Sequence, residues 1–202
     1  MVEAHDVSDE WSPSVISDYV VLRAATGGKP PVMQALMDFG LHVDHNIDKV
    51  GTPLGLAVLC QKADMVRFLL SKGADPNGMY WIPPDVYLVE AASLASPDIL
   101  NTLLDHGADV ADLMALKGAA EGGRIDSAKI LLDRGADIDE VFCYDDLIIG
   151  TALHVTVQHD QEEFVKFLLA RGARRDLRDR NRLTPRELAL SDGKEKIAQL
   201  LT

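Results

Sequence analysis

The sequence predicts an all-α solenoid of stacked helix-turn-helix units with hairpin or loop fingers between them. Three observations predict it. Two leucines, two further residues and a Gly-Ala turn recur at a spacing that averages 33 residues. A small residue stands sixteen positions before the glycine of each copy. A helix-opening signal, clearest as Thr-Pro, precedes that small residue. Self-similarity at a period of this size marks repeat architectures. Aromatic residues make up only 5% of the chain while Ala and Leu abound, which favours small, closely packed helices over a β-sandwich.

The first copy is degenerate, Leu36-Met37-Asp38-Phe39-Gly40. Complete copies run Leu69–Asp75, Leu103–Asp109 and Leu131–Asp137, and a further copy, Leu168–Arg174, loses the Asp. From Gly40 through Gly73, Gly107, Gly135 and Gly172 the steps are 33, 34, 28 and 37 residues. An apolar face at helical spacing precedes the glycine, as in Val66, Leu69 and Leu70, in Ile99, Leu103 and Leu104, and in Val165, Leu168 and Leu169. A glycine just past such a face is a left-handed C-cap. The small residues Ala24, Ala57, Ala91, Ala119 and Thr156 let a second, antiparallel helix come close. Thr52-Pro53, Thr151-Ala152 and Thr184-Pro185 open the helices that carry three of them or their equivalents. Each unit is therefore loop, helix, turn, helix. The units lie near 15–49, 50–83, 84–111, 112–148, 149–181 and 182–202. The last ends on Ile197, Leu200 and Leu201 and reads as a closing cap. Residues 1–14, acidic and carrying Trp11 and Pro13, form a flexible leader, or lay Trp11 over the open end of the first unit; the sequence leaves both standing.

These residues resemble the ankyrin repeat, whose signature is Thr-Pro-Leu-His-x-Ala with a period near 33. The nearest copies are Thr151-Ala152-Leu153-His154-Val155-Thr156 and Thr52-Pro53-Leu54-Gly55-Leu56-Ala57. The resemblance covers residues 15–202 and implies an ankyrin-repeat solenoid. It implies noncatalytic protein recognition through finger tips and a concave surface of inner helices. It also implies that His154 hydrogen-bonds a neighbouring loop. An Asn at the place of Asn77 can be hydroxylated in such repeats, although Pro76 departs from the usual aliphatic residue there.

The copies depart from regularity in one stretch. From the glycine to the next helix opening the step is 12 from Gly40 to Thr52, and 12 from Gly172 to Thr184. It is 13 from Gly73 to Val86, 7 from Gly107 to Met114 and 16 from Gly135 to Thr151. One finger is nearly deleted between two full ones, and both neighbours carry aromatics: Tyr80 and Trp81, then Phe142 and Tyr144. A regular stack would turn this into a notch between the 78–85 and 140–148 loops, floored by Val89, Glu90, Lys117 and Gly118. Two readings stand for the aromatics: they pack on each other, or they contact a ligand or partner. The binding residues expected on this reading are Tyr80, Trp81, Phe142, Tyr144, Asp145, Asp146, Glu90 and Lys117. The alternative to a protein-interaction module is a small-molecule-binding or catalytic protein using the notch, with Asp145, Asp146 and Glu90 as acid or base groups.

Other chemistry is sparse. The formal net charge of −12 argues against nonspecific binding to nucleic acid or anionic membrane. No apolar run approaches the length of a membrane span. The two cysteines, Cys60 and Cys143, are too few for a disulfide scaffold, and no secretory signal opens the chain, so an intracellular site, cytoplasmic or nuclear, is expected. His42 and His45 flank Asp44 without a third anchored ligand, so neither metal nor cofactor is expected. Gly27-Gly28 and Gly122-Gly123 precede basic residues but fall where the resemblance places helix turns. Residues 171–202 hold nine basic and five acidic side chains, a local charge of +4 in an acidic chain. The basic finger either steers an acidic partner or is a solvated hairpin with local pairs.

Overall fold

Four units begin at a Ser or Thr cap, Ser17, Thr52, Thr151 and Thr184, and the second helices of the first five stop just before a glycine. The computed structural model describes residues 16–47, 50–78, 87–94, 96–110, 114–144 and 147–202. Within these the helices fall into six pairs: α1 (Asp18–Thr26) with α2 (Pro30–Asp38), α3 (Pro53–Leu59) with α4 (Ala63–Ser71), and α5 (Tyr87–Ser93) with α6 (Pro97–Asp105). The others are α7 (Ala115–Glu121) with α8 (Ile125–Asp133), α9 (Ala152–Gln158) with α10 (Glu162–Ala170), and α11 (Pro185–Ser191) with α12 (Glu195–Leu200). Thr52 caps α3 by accepting the Gly55 amide at 3.3 Å. Thr184 and Glu187 form a reciprocal capping box on α11: the Glu187 amide donates to Thr184 Oγ1 and the Thr184 amide to the Glu187 carboxylate.

The second helices end alike. Gly73, Gly107, Gly135 and Gly172 take φ between +89° and +100°, a region where only glycine is unstrained. The alanine that follows donates its amide back to the carbonyl of the third-last helical residue: Ala74 to Leu69, Ala108 to Leu103, Ala136 to Leu131 and Ala173 to Leu168, at 3.0–3.1 Å. This bond turns the chain out of the helix and into the finger.

The units stack through the residues that sequence spacing singles out. Ala24, Ala57, Ala91, Ala119 and Thr156 are all buried, as are Leu103 and Leu131. First helices of neighbouring units pack together more extensively than second helices do, so the stack curves with the first helices inside. Basic residues at the turn add staples. Arg124 Nε donates to the Ser93 carbonyl at the end of α5, and Lys194 Nζ to the Val157 and Gln158 carbonyls at the end of α9. A cation there meets the negative end of a helix dipole.

Fingers are tied to one another by a side chain four residues past three of the glycines, Gly40, Gly73 and Gly135. Asp44 accepts the Asp75 amide, Asn77 accepts the Asp109 amide and donates to the Gly107 carbonyl, and Asp139 accepts the Arg174 amide, at 2.8–3.2 Å. The equivalent position after Gly107, Ala111, lies outside the described residues. The long 136–150 finger contains an antiparallel hairpin, β1 (Phe142–Tyr144) with β2 (Leu147–Gly150), and a bulge between Phe142 and Cys143.

Candidate interaction surface

The shortened finger changes how its two units meet. Helices α5 and α7 have the most extensive helix contact described in the protein. Gly118 and Gly122, one turn apart, face α5. A methyl group at Gly118 would lie 2.8 Å from the Val89 carbonyl oxygen and 3.0 Å from Val89 Cγ1, and one at Gly122 would press on the Ser93 carbonyl. Backbone therefore meets backbone along this seam. The expected floor of the notch is a closed helix contact: Val89 and Gly118 are buried, and Glu90 and Lys117 are half-buried beside them. Lys117 Nζ lies 2.5 Å from Glu121 Oε1 on its own helix.

Of the expected walls, Tyr80, Trp81, Asp145 and Asp146 lie outside the described residues. Tyr144 ends β1, where it pairs with Leu147. Phe142, one of the expected binding residues, has its ring fully buried in the hydrophobic core, in keeping with the packed reading of the finger aromatics. The backbone register shifts at this residue, and burying a phenyl ring is worth about 2–3 kcal/mol, which favours a core position over an exposed one.

His154 holds the next finger. The Thr151 amide donates to its Nδ1 at 3.1 Å, so the proton sits on Nε2 and is donated to the Leu183 carbonyl at 3.1 Å. Burial lowers its pKa below the ordinary histidine value, against the opposing pull of the Leu183 carbonyl and Asp179. His45 and His42 have local partners: His45 Nε2 meets Asp18 Oδ1 at 2.7 Å, and His42 Nδ1 accepts the Asp44 amide. No group of three or more metal-ligating side chains occurs among the described residues. Asn77 spends both ends of its amide on the neighbouring turn.

In the basic finger Arg174 pairs with Asp176, and Arg178 with Glu187 and the Arg182 carbonyl; Arg175 donates to the Thr202 carbonyl. Arg174 depresses the Asp176 carboxyl below its ordinary value, while the Thr184 amide and hydroxyl do most of this for Glu187. The local pairs of the solvated-hairpin reading are thus present.

Sequence reading overlooked one row of side chains. Thr26, Leu59, Ser93, Glu121, Gln158 and Ser191 each stand two residues after the small residue of their unit and so line up along the inner side of the curve. Leu59 is 48% exposed there, and Glu121 and Gln158 are also open to solvent. Alignment of the units on their glycines, with attention to apolar residues off the buried stripe, would have found Leu59.

The comparisons with known proteins agree with this architecture. A family model described as "Ankyrin repeats (many copies)" matches residues 116–169, and one described as "Ankyrin repeat" matches residues 51–79. Ankyrin repeat and SOCS box protein 5 of Oryctolagus cuniculus is 38% identical over 89 residues, which is 44% of this chain and 26% of that protein. The chain thus matches about a quarter of that relative's length. Among solved structures, the human ASB11 ankyrin repeat domain superposes with a TM-score of 0.76 at 25% identity, covering 90% of this chain and 81% of that one. EF0377, an ankyrin repeat protein, superposes with a TM-score of 0.77 at 30% identity, covering 92% and 97%. No helix among the described residues is long and apolar enough to cross a membrane.

Proposed function

Because this chain belongs to the ankyrin repeat family, whose repeats bind other proteins, we propose that it is a noncatalytic interaction module that grips a protein partner between its finger loops and its inner helices. The observation that carries the reading is the exposed row on the first helices. Leu59, Glu121 and Gln158 stand in register on a surface that the stack holds rigid, so a partner meets a preformed template. An apolar side chain flanked by polar ones suits a contact whose centre is dry and whose rim is wet. The fingers at 78–85 and 140–148 form the second half of the proposed grip.

The test uses the full chain as immobilised bait against an extract of the source cells, with the captured protein then purified and titrated directly. A binder whose affinity falls tenfold or more with Leu59→Arg, at unchanged helicity, supports the reading. A binder held equally by wild type and Leu59→Arg places recognition elsewhere. Turnover of a small molecule abolished by Glu90→Gln would replace the reading with the catalytic one.

A further inference from the structure

Among the described residues, the stacking register leaves a seat open on the first unit. Two positions in each unit face the unit before. One is the third residue of the second helix: Met65, Ile99, Ser127, Phe164 and Ile197, each at most 1% exposed. Its counterpart in the first unit, Val32, is 43% exposed. The other opens the first helix: Pro53, Tyr87, Ala115, Ala152 and Pro185, all buried. Its counterpart by spacing is Val20, four residues before Ala24 as Pro53 is before Ala57; it lies within α1 and is again 43% exposed, and Tyr19 beside it is 67% exposed. Tyr19, Val20 and Val32 thus form a face made like every inter-unit interface in the protein, with no described residue lying on it as a preceding unit. At the opposite end of the array α12 turns Glu195 and Lys196 to solvent and buries Ile197 and Ala198, while Leu190 on α11 is 49% exposed.

We propose that residues 1–15 of this chain fill that seat, with the Trp11 indole laid over Val20 and Val32. The tether permits it. Seven Cα-to-Cα steps lead from Trp11 to Asp18 at the start of α1, a reach of about 23 Å when extended. The nine-residue helices α1 and α2 are each about 13.5 Å long and their axes lie about 10 Å apart, so the whole face is within range. The composition suits a cap. Trp11, Val2, Val7 and Val15 offer apolar area, and an indole alone brings about 150–250 Å². Glu3, Asp6, Asp9 and Glu10 supply the polar outer side that a terminal unit of a repeat array needs. Attachment also decides between occupants. A segment joined by so short a linker is present at an effective concentration on the order of millimolar, which outcompetes a second copy of the chain at micromolar concentration.

The experiment uses the full chain carrying Trp81→Phe, so that Trp11 is the sole indole reporter. The expected result is an emission maximum blue-shifted from that of the urea-unfolded chain, with acrylamide quenching several-fold weaker. Val32→Asp should move both values to those of the unfolded chain while far-UV dichroism stays unchanged. An aspartate in the first turn of α2 favours the helix, so loss of fold is not the cause. Quenching of Trp11 as complete in the folded chain as in urea overturns the proposal, as does protection that survives Val32→Asp. Protection that appears only at concentrations where sedimentation shows a dimer assigns the seat to a second copy and also overturns it. Should Trp81→Phe unfold the chain, fluorine NMR of the 5-fluorotryptophan-labelled natural sequence reads the same protection, with the Trp11 line identified by its loss in Trp11→Phe.

Discussion

Replacing Gly118 by Ala sets two opposed effects against each other, and the structure says which prevails. Gly118 lies inside α7 with ordinary helical geometry, so alanine there gains about 1 kcal/mol of helix propensity. The added methyl would, however, sit 2.8 Å from the Val89 carbonyl oxygen, where a relaxed carbon–oxygen approach is about 3.3 Å or more. The helices must part by roughly 0.5 Å, and the atom in the way is backbone, which cannot swing aside. Overpacking of this kind costs about 1–3 kcal/mol. The expected net is a loss on the order of 1 kcal/mol. Adding Gly122→Ala deepens it, because the second methyl meets the Ser93 carbonyl on the same seam. For a chain of this length each kcal/mol lowers the melting midpoint by about 2–4 °C. Urea titration followed by dichroism at 222 nm gives the sign directly. A Gly118→Ala protein more stable than the wild type, as propensity alone requires, would refute the close approach of α5 and α7.

Five further outcomes are expected. Leu103→Ala should cost about 2–5 kcal/mol through lost transfer energy and a cavity at a fully buried position, read from the denaturation midpoint. Asn77→Ala should cost about 1–2 kcal/mol by removing its two finger-to-finger hydrogen bonds, with faster amide exchange at Asp109 as the local sign. His154 has a folded pKa below its unfolded value of about 6.5, so the unfolded chain binds more protons just below that pH. The stability from keeping it neutral is complete above pH 6.5 and declines as pH falls towards the folded pKa, and a His154→Asn variant should show a flatter profile over that window. Once a partner is in hand, Trp81→Ala and Tyr144→Ala should each weaken binding by about 2 kcal/mol if the fingers hold hot spots. Replacing Arg174, Arg175 and Arg178 by Gln should leave the melting midpoint nearly unchanged and lower the association rate only if the finger steers.

The parts of the fold that rest on local chemistry were readable from the chain. A glycine with positive φ is demanded at the end of each complete second helix, and each stands where the spacing put it. Thr52 and Thr184 open their helices as cap residues should, and His154 bonds to the neighbouring loop at Leu183. Contacts between units were harder to read. The seam at Gly118 depends on a deletion in the preceding finger that lets two helices close up, and no local pattern states how far they will move. For Phe142 packing and contact both stood, because spacing along a finger does not say which way a ring turns; the ring is in the core, beside a shift in strand register. The ties made by Asp44, Asn77 and Asp139 were in plain view once the units are aligned on their glycines, but each residue alone looked like an ordinary turn polar group.

The finger ties and the helix seam share a mechanical consequence. Asp44 and Asn77 lash the first three fingers into one strip, and Asp139 lashes the last two full ones into another. Between the strips α5 and α7 are pressed together more tightly than any other described helix pair. With backbone against backbone at Gly118 and Gly122, a slide or twist of one half of the array against the other runs into hard contacts. The middle of the stack therefore works as a weld, and the spacing of the side chains on either side of it is held when a partner lands.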